Sequence, residues 1–452
     1  MKLIYITVEV KNRELINKLF FIANNINKNF AFFIGDKLAV KRATSFLGQG
    51  IYFYKSINNN DTDHILRIKN KGNAYVSLDE EGGATLNNRL LFQSFLEYRS
   101  SEKNISLVDK IFTWGDFDHK EWSKKYSKHK FKIIKTGSTR FDVWRNEIYP
   151  KIFKDEIEDL KKNGEFFFIP SSFYSSYNDL KEAVIKDKKL HNNQATINLK
   201  KKIEAKKNNF KTFLKFVQII KKLSKDFPNH KILIKPHPTE NLDNWKKKFN
   251  KKKYPNILYD NRFDLTSYIA ASSCVIFNSS TAGIQSIIMG KKVFSYNLKK
   301  NKTFRNFPNY CTPQVNDYQE LKKKIKKNFR KDKIRYLKKI KKRFYISKET
   351  SSKIIMKNLE KIRISRNKNI KSFKIKFLGK LYEAIDNLFF ILSKFKKIFF
   401  KKKSGYQGYS RKMPNGIRYT EITKIFKNLN LHKEVKIINF GKNGYLILKN
   451  DE

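Results

Sequence analysis

A chain of 452 residues is long enough for two domains with separate cores and further appendages. Apolar residues make up 40% of it, with 39 Phe and 22 Tyr, which argues against a largely disordered protein, and two cysteines argue against a disulfide scaffold or a cysteine-based zinc site. Lys and Arg outnumber Asp and Glu by 98 to 41, a formal charge of +57; the lysines are spread along the chain rather than gathered in one stripe, so the charge reads first as overall compositional drift, next as suited to an anionic surface or an acidic ligand, and least as a nucleic-acid footprint.

The opening run Leu3–Val8 reads as a strand and is too short for the apolar core of a signal peptide. An amphipathic helix is expected over Asn12–Ile26, with Leu15, Leu19, Phe20 and Ile22 towards one side. Strands follow at Phe30–Ile34, Ile51–Tyr54, Ala74–Leu78, Ile111–Trp114 and Lys132–Lys135, with a helical Lys37–Leu47 between the first two. Strands separated by helices of this length imply right-handed crossovers and a parallel sheet. A second α/β unit starts near Gly164. It has strands at Glu165–Ile169, Lys231–Ile234, Ile257–Tyr259, Cys274–Phe277 and Lys292–Tyr296. Its long helix, Ile197–Lys225, carries Phe210, Phe213, Leu214, Val217, Ile220 and Leu223. Cys274 falls inside a strand and reads as core.

The tail changes character. Asp317–Lys361 is helical and very basic. Residues 371–403 place Phe377, Leu378, Leu381, Ile385, Leu388, Phe389 and Leu392 on one helical face with lysines at both ends, a pattern suited to an anionic membrane surface or to an ordinary packed helix. Residues 405–452 form a small α+β cap, with a helix at Thr420–Leu429 and strands at Val435–Asn439 and Gly444–Leu448. The expected division is therefore residues 1–150, 151–360, 361–404 and 405–452. No window reaches the roughly 18 uncharged apolar residues of a membrane span. The expected location is cytoplasmic, with peripheral attachment to the inner face of the membrane where the basic helix meets it.

Polar clusters stand at the carboxyl ends of several strands, where open α/β sheets bind ligands. Asp79, Glu80 and Glu81, followed by two glycines, end Ala74–Leu78. Carboxylates this close tend to raise one another's pKa, as a general base near neutrality requires, although a solvated acidic turn has the same composition. Lys235-Pro236-His237-Pro238 follows the candidate strand Lys231–Ile234. Two prolines restrict the backbone around the histidine and aim it beyond the sheet. Asn278, Ser279, Ser280 and Thr281 precede a largely apolar run; one hydroxyl suffices to cap a helix there, which leaves others for an anion. Thr136–Asp142 contains Gly137 for a tight turn and Arg140, which can meet an anion or pair with Asp142. Of two Asp-x-Asp triplets, Asp116-Phe117-Asp118 is the better placed for a cation, but two carboxylates are few ligands, and no metal site is expected.

Two α/β halves with Glu-Glu-Gly in the first, and His-Pro then Ser-Ser-Thr in the second, resemble GT-B glycosyltransferases that use CMP-activated sugars: the bacterial sialyl-, polysialyl- and Kdo-transferases. More closely, the chain resembles the surface carbohydrate (capsule and lipopolysaccharide) biosynthesis protein family. The residues that carry this are Val8-Glu9 with Arg13-Glu14-Leu15, Asp79–Gly82, Thr136-Gly137 through Asp142, Lys235–Asn241 with Trp245, and Asn278–Ala282. They span about residues 3–300; after about 360 the resemblance is silent. One departure is Pro170-Ser171-Ser172-Phe173, where an Asn-containing loop is expected.

The resemblance implies two Rossmann-type domains with parallel sheets facing a cleft and a metal-independent, inverting transfer without a cofactor. Glu81 or Glu80 takes the proton of the acceptor hydroxyl, and Asp79 orients them. Lys235, His237, Pro238, Asn278, Ser279, Ser280 and Thr281 hold the nucleotide sugar, and Gly137, Arg140 and Glu9 are cleft contacts. The expected partners are a CMP-sugar of nonulosonic-acid or Kdo type, a glycan or lipid-linked acceptor and an anionic membrane surface, with no nucleic acid. Rival readings are polyol-phosphate transfer from CDP-glycerol, a sugar-nucleotide epimerase of the same fold, and a non-catalytic membrane-associated envelope protein.

Overall fold

Apolar runs such as Phe30–Gly35 are buried along their whole length, not on alternate residues. That pattern belongs to strands covered on both faces, and these strands form two largely parallel sheets. The computed structural model describes residues 1–80, 89–162, 164–173, 196–237, 240, 242–296, 306–364, 376–385, 387–388, 413 and 415–450. The chain divides into two compact units. The first takes the chain up to Ile152 and again from Lys341 onward; the second is essentially Phe153–Ile340. The α/β class with two parallel sheets is the expected one.

In the first unit the strands are β1 (Lys2–Thr7), β2 (Phe30–Gly35), β3 (Gly50–Tyr54), β4 (Ala74–Leu78), β5 (Lys110–Thr113) and β6 (Ile133–Lys135). In the second they are β7 (Phe166–Pro170), β8 (Lys231–Lys235), β9 (Ile257–Tyr259), β10 (Cys274–Phe277), β11 (Val293–Tyr296) and β12 (Gln314–Val315). The last two, β13 (Val435–Asn439) and β14 (Gly444–Lys449), return to the first sheet. The orders are β13-β14-β2-β1-β3-β4-β5-β6 and β12-β11-β10-β7-β8-β9. All pairs are parallel except β13 with β14 and β14 with β2.

The tail thus differs from a separate cap. Its hairpin closes the open edge of β2, with Leu446 opposite Phe33 and Ile447 opposite Phe32. The predicted helical stretch Asp317–Lys361 is three helices, Tyr318–Lys326, Arg330–Lys341 and Ser351–Glu360. Between the last two, the chain runs against the first unit. Tyr345 N–H donates to Trp114 O at 2.8 Å. A Cβ at Gly115 would stand 2.0 Å from Arg343 O, so only glycine admits this passage. This brings residues 341–360, read with the second domain from the sequence, into the first unit.

The second core forms between its sheet and the helix Thr196–Asp226. Phe213, Phe216, Val217, Ile220 and Leu223 are buried against Ile232, Ile234 and Trp245. Leu214, expected on this stripe, is 38% exposed, and Phe216 and Ile219 are buried instead. A helix turns about 100° per residue, so 213, 216, 217 and 220 share a face that 214 leaves. Cys274 lies in this core, where burial pushes its thiol up.

Candidate active site

In the first unit, charged groups collect at the carboxyl ends of β1, β3 and β4. The helix Lys11–Ala23 follows β1 and turns Glu14 and Lys18 inward, one turn apart. Glu14 is fully buried. Its carboxylate accepts from the Glu9 amide at 2.9 Å and from Lys18 Nζ at 2.9 Å. Burial alone would raise its pKa; the Lys18 ammonium and the amide outweigh that and hold it down at about 2. Lys18 Nζ also donates to Thr7 O at 2.7 Å and lies 3.4 Å from Glu80 Oε1.

Glu80 is 3% exposed, and its Oε2 has no hydrogen-bond partner among the described residues. Burial pushes its pKa up; Lys18 opposes this, and the charge of Glu14 adds to it. The raised carboxylate expected for this cluster is therefore present at Glu80, but desolvation is the leading cause rather than repulsion within the triplet. Asp79 faces Arg99 at 3.7 Å, while its carbonyl accepts from Trp114 Nε1 at 2.7 Å. Asp79 and Asp118 line a cavity of about 20 Å³ with Arg99, Phe92, Trp114 and Trp122, enough for about one water. Glu81 lies outside the described residues.

Glu9 is half-buried beside this group. Its carboxylate takes the Tyr54 hydroxyl and pairs with Lys55 at 2.8 Å. Burial would raise its pKa, but Lys55 and Tyr54 win and lower it. Behind Glu9, Thr7 Oγ1 and His64 Nε2 both lie 3.1 Å from the Tyr52 hydroxyl. Burial brings the pKa of His64 down to about 4. Arg140 donates to Glu80 O at 3.3 Å and lies over the rings of Trp114 and Trp144. Asp142 does not pair with Arg140. It accepts from the Ser351 and Ser352 amides at 2.9 and 2.8 Å and the Ser352 hydroxyl at 2.6 Å, at the N-terminus of the helix Ser351–Glu360. Gly137 has φ +81°, as a tight turn requires, and a Cβ there would meet Tyr345 O at 2.5 Å.

In the second unit the candidate residues follow β8 and β10. Pro236 is buried and His237 half-buried. The Glu240 amide donates to His237 O at 2.8 Å, which closes the loop on itself. Glu240 fixes that loop from within: its carboxylate accepts from Ser171 Oγ at 2.6 Å and Trp245 Nε1 at 2.8 Å. Burial pushes its pKa up, against those hydrogen bonds. The unexpected Pro170-Ser171-Ser172 loop therefore braces the His237 loop. Lys235 points elsewhere: its ammonium donates to Phe263 O at 3.0 Å and lies 4.7 Å over the Tyr268 ring. Pro238 lies outside the described residues.

Asn278 to Thr281 are half-buried after the fully buried β10. Ser280 Oγ accepts the Ala282 amide at 3.2 Å, and Ser279 Oγ accepts from Asn306. The helix they open, Ala282–Ile288, has only seven residues, so its dipole is modest beside that of a longer helix. Among the described residues there is no group of three or more His, Cys, Asp or Glu able to hold a metal ion.

Three contributors escaped sequence reading. Lys18 sits three residues after Leu15 and four before Ile22, on the apolar side of its helix, and a lysine there needs a buried partner; that was its signal. Glu240 stands out in sequence only as part of the Lys235–Asn241 motif, with nothing local to tie it to Ser171. His64 sits among tyrosines that only strand pairing brings together.

No protein-family model matches the chain, and no curated protein matches its sequence. Solved structures do show likeness. The wall teichoic acid polymerase TagF is 13% identical, over 80% of this chain and 88% of that one, with a TM-score of 0.47. UDP-GlcNAc 2-epimerase from Neisseria meningitidis bound to UDP-GlcNAc is 11% identical, over 80% and 100%, at 0.48. The UDP-GlcNAc 2-epimerase from Methanocaldococcus jannaschii is 9% identical over the same shares, also at 0.48.

Proposed function

We propose that the protein is a transferase that takes a nucleotide-activated donor, with a CMP-sugar as the preferred class and a glycan or lipid-linked acceptor. The observation that carries this is Glu80: a buried carboxylate, its pKa raised, with one oxygen that meets no hydrogen-bond partner among the described residues, at the carboxyl end of a strand in a parallel sheet. A carboxylate from Asp79–Glu81 removes the proton of the acceptor hydroxyl. Asp79 is the least suited, because Arg99 already faces it. Lys18 limits the rise in the Glu80 pKa and so tunes its basicity. In the second unit, the His237 loop and the hydroxyls of Ser279, Ser280 and Thr281 stabilise the negative charge that develops on the departing phosphate.

A thermal-shift series with CMP, CDP, UDP, GDP and dTDP tests the donor class. A ligand at a hundredfold excess over its Kd adds about 2.7 kcal/mol to stability. Stabilisation by cytidine nucleotides is expected, weakened by His237→Ala; preference for UDP or GDP would sink the CMP-sugar reading. With a turned-over donor, Glu80→Gln or Glu81→Gln is expected to lower kcat by about 10² to 10⁴. The nature of the product then separates sugar transfer from polyol-phosphate transfer: a glycosidic bond in one case, a phosphodiester in the other.

A further inference from the structure

Residues 376–385 and 387–388 are helical and belong to the first unit. One side of this helix is packed. A Cβ at Gly379 would stand 2.5 Å from Asn439 O and 3.2 Å from Phe440 Cα, so its backbone lies directly on the turn after β13. Tyr382, one turn on, lies between Phe46 and Phe440, each 5.4 Å away between ring centroids, with the Arg42 guanidinium 4.9 Å from its ring. These contacts fix the rotation of the helix about its axis. On the other side Phe377, Leu381 and Leu388 are 62%, 48% and 57% exposed. With Ala384, also exposed, they follow steps of four, three and four, which is a single row on an α-helix.

We propose that this row is a docking face for the surface of an anionic lipid bilayer. Large apolar side chains in a row are seldom left to water without a partner. Among the described residues of the segment, the charged groups are Lys376 and Lys380, with Glu383 as the acidic one, all exposed. Lysines beside an apolar row suit phosphate headgroups, with the alkyl stems lying along the acyl boundary. In sequence the segment lies within a stretch dense in lysine, and the whole chain carries +57, which an anionic membrane attracts. The same charge repels a second copy of this chain. The row is also narrow against the roughly 800 Å² per partner that a stable protein interface buries. Among the described residues no helix is long and apolar enough to cross a membrane, so the attachment lies in the plane of the interface.

The test is co-sedimentation of the full chain with vesicles of equal parts phosphatidylglycerol and phosphatidylcholine, and with phosphatidylcholine alone. The parent is expected to partition onto the anionic vesicles. A variant with Phe377→Ser, Leu381→Ser and Leu388→Ser is expected to lose at least about tenfold of that partitioning, with an unchanged melting temperature. As a second readout that leaves the other side chains in place, the indole introduced by Phe377→Trp is expected to shift blue and to be quenched by brominated lipid. Three results overturn the proposal. The parent fails to bind, the triple variant binds as well as the parent, or the parent is a dimer that the triple variant separates without any vesicle binding. Enzymatic activity is not used, so the outcome is independent of the proposed transfer.

Discussion

Asp118 is 2% exposed, and its Oδ1 accepts no hydrogen bond from the described residues; the Arg343 guanidinium is 3.8 Å away. Burial pushes its pKa up to about 7 against the pull of Arg343, with Asp79 adding to the rise. A carboxyl raised from 3.8 in this way favours the protonated fold. Its contribution is fully present below about pH 4 and is lost as the pH rises through about 7. Asp118→Asn keeps the shape without the ionisation. Denaturant unfolding of the parent between pH 5 and pH 8 is expected to show roughly 2–4 kcal/mol more loss than the variant. An equal slope in the two proteins rejects this account. Glu14 works in the opposite sense: its pKa near 2 stabilises the fold above about 4.5, and that stability goes as the pH falls towards 2. At this scale the sequence shows residue types but not their neighbours. Asp79 and Glu80 stand out as acids in a basic chain, whereas the partner of Glu80, Lys18, comes from another strand–helix connection. Asp118 was legible only as half of an Asp-x-Asp triplet; its burial beside Arg343 depends on a chain return that no local pattern encodes.

That return is the decision made at the level of elements. Residues 343–345 cross Gly115, and the helix Ser351–Glu360 sets its first amides on the Asp142 carboxylate. A carboxylate at a helix N-terminus gains from both the free N–H groups and the dipole. Asp142→Asn turns a donor towards those amides and removes the charge, at a cost of about 2–4 kcal/mol for a buried, charge-assisted set. Hydrogen exchange is expected to show the loss as faster exchange across Ser351–Glu360, with β7 to β11 unchanged. Equal loosening of both units would mean that Asp142 serves the whole fold rather than this helix. Strands were the most legible elements because full burial makes most of them near-continuous apolar runs; Ala74–Leu78 and Cys274–Phe277 are buried throughout and were placed to the residue. Helix ends and the two-residue β12 were not, since fixing them takes contacts from distant parts of the chain.

For the molecule as a whole, the consequence of topology is that residues far apart in sequence share one stability. The hairpin β13–β14 covers the edge of β2, and Tyr445, Leu446 and Ile447 are at most 3% exposed there. Asn443 Nδ2 donates to Asp36 Oδ2 at 2.8 Å, the Tyr445 hydroxyl donates to Ile417 O at 2.9 Å, and Lys11 pairs with Glu421 at 2.7 Å. Removing residues 413–452 strips these contacts and exposes the backbone edge of β2. Each buried large apolar side chain contributes roughly 1.5–3 kcal/mol, so three of them amount to about 4.5–9 kcal/mol. That is as large as the whole stability of many domains. Urea unfolding of the shortened chain, followed by exchange at β1–β4 and separately at β7–β11, is expected to show the first set unprotected or unfolding at much lower urea. The second set is expected to keep its midpoint, because the described core around Phe213, Val217, Ile220 and Trp245 is built from residues of its own unit. The shortened chain is also expected to aggregate through the exposed edge of β2, whose sequence Phe-Ala-Phe-Phe-Ile carries no charge to prevent pairing. If both sets lost protection together, the two units would be one cooperative body, and the tail would belong to the core of the molecule rather than to the first sheet alone.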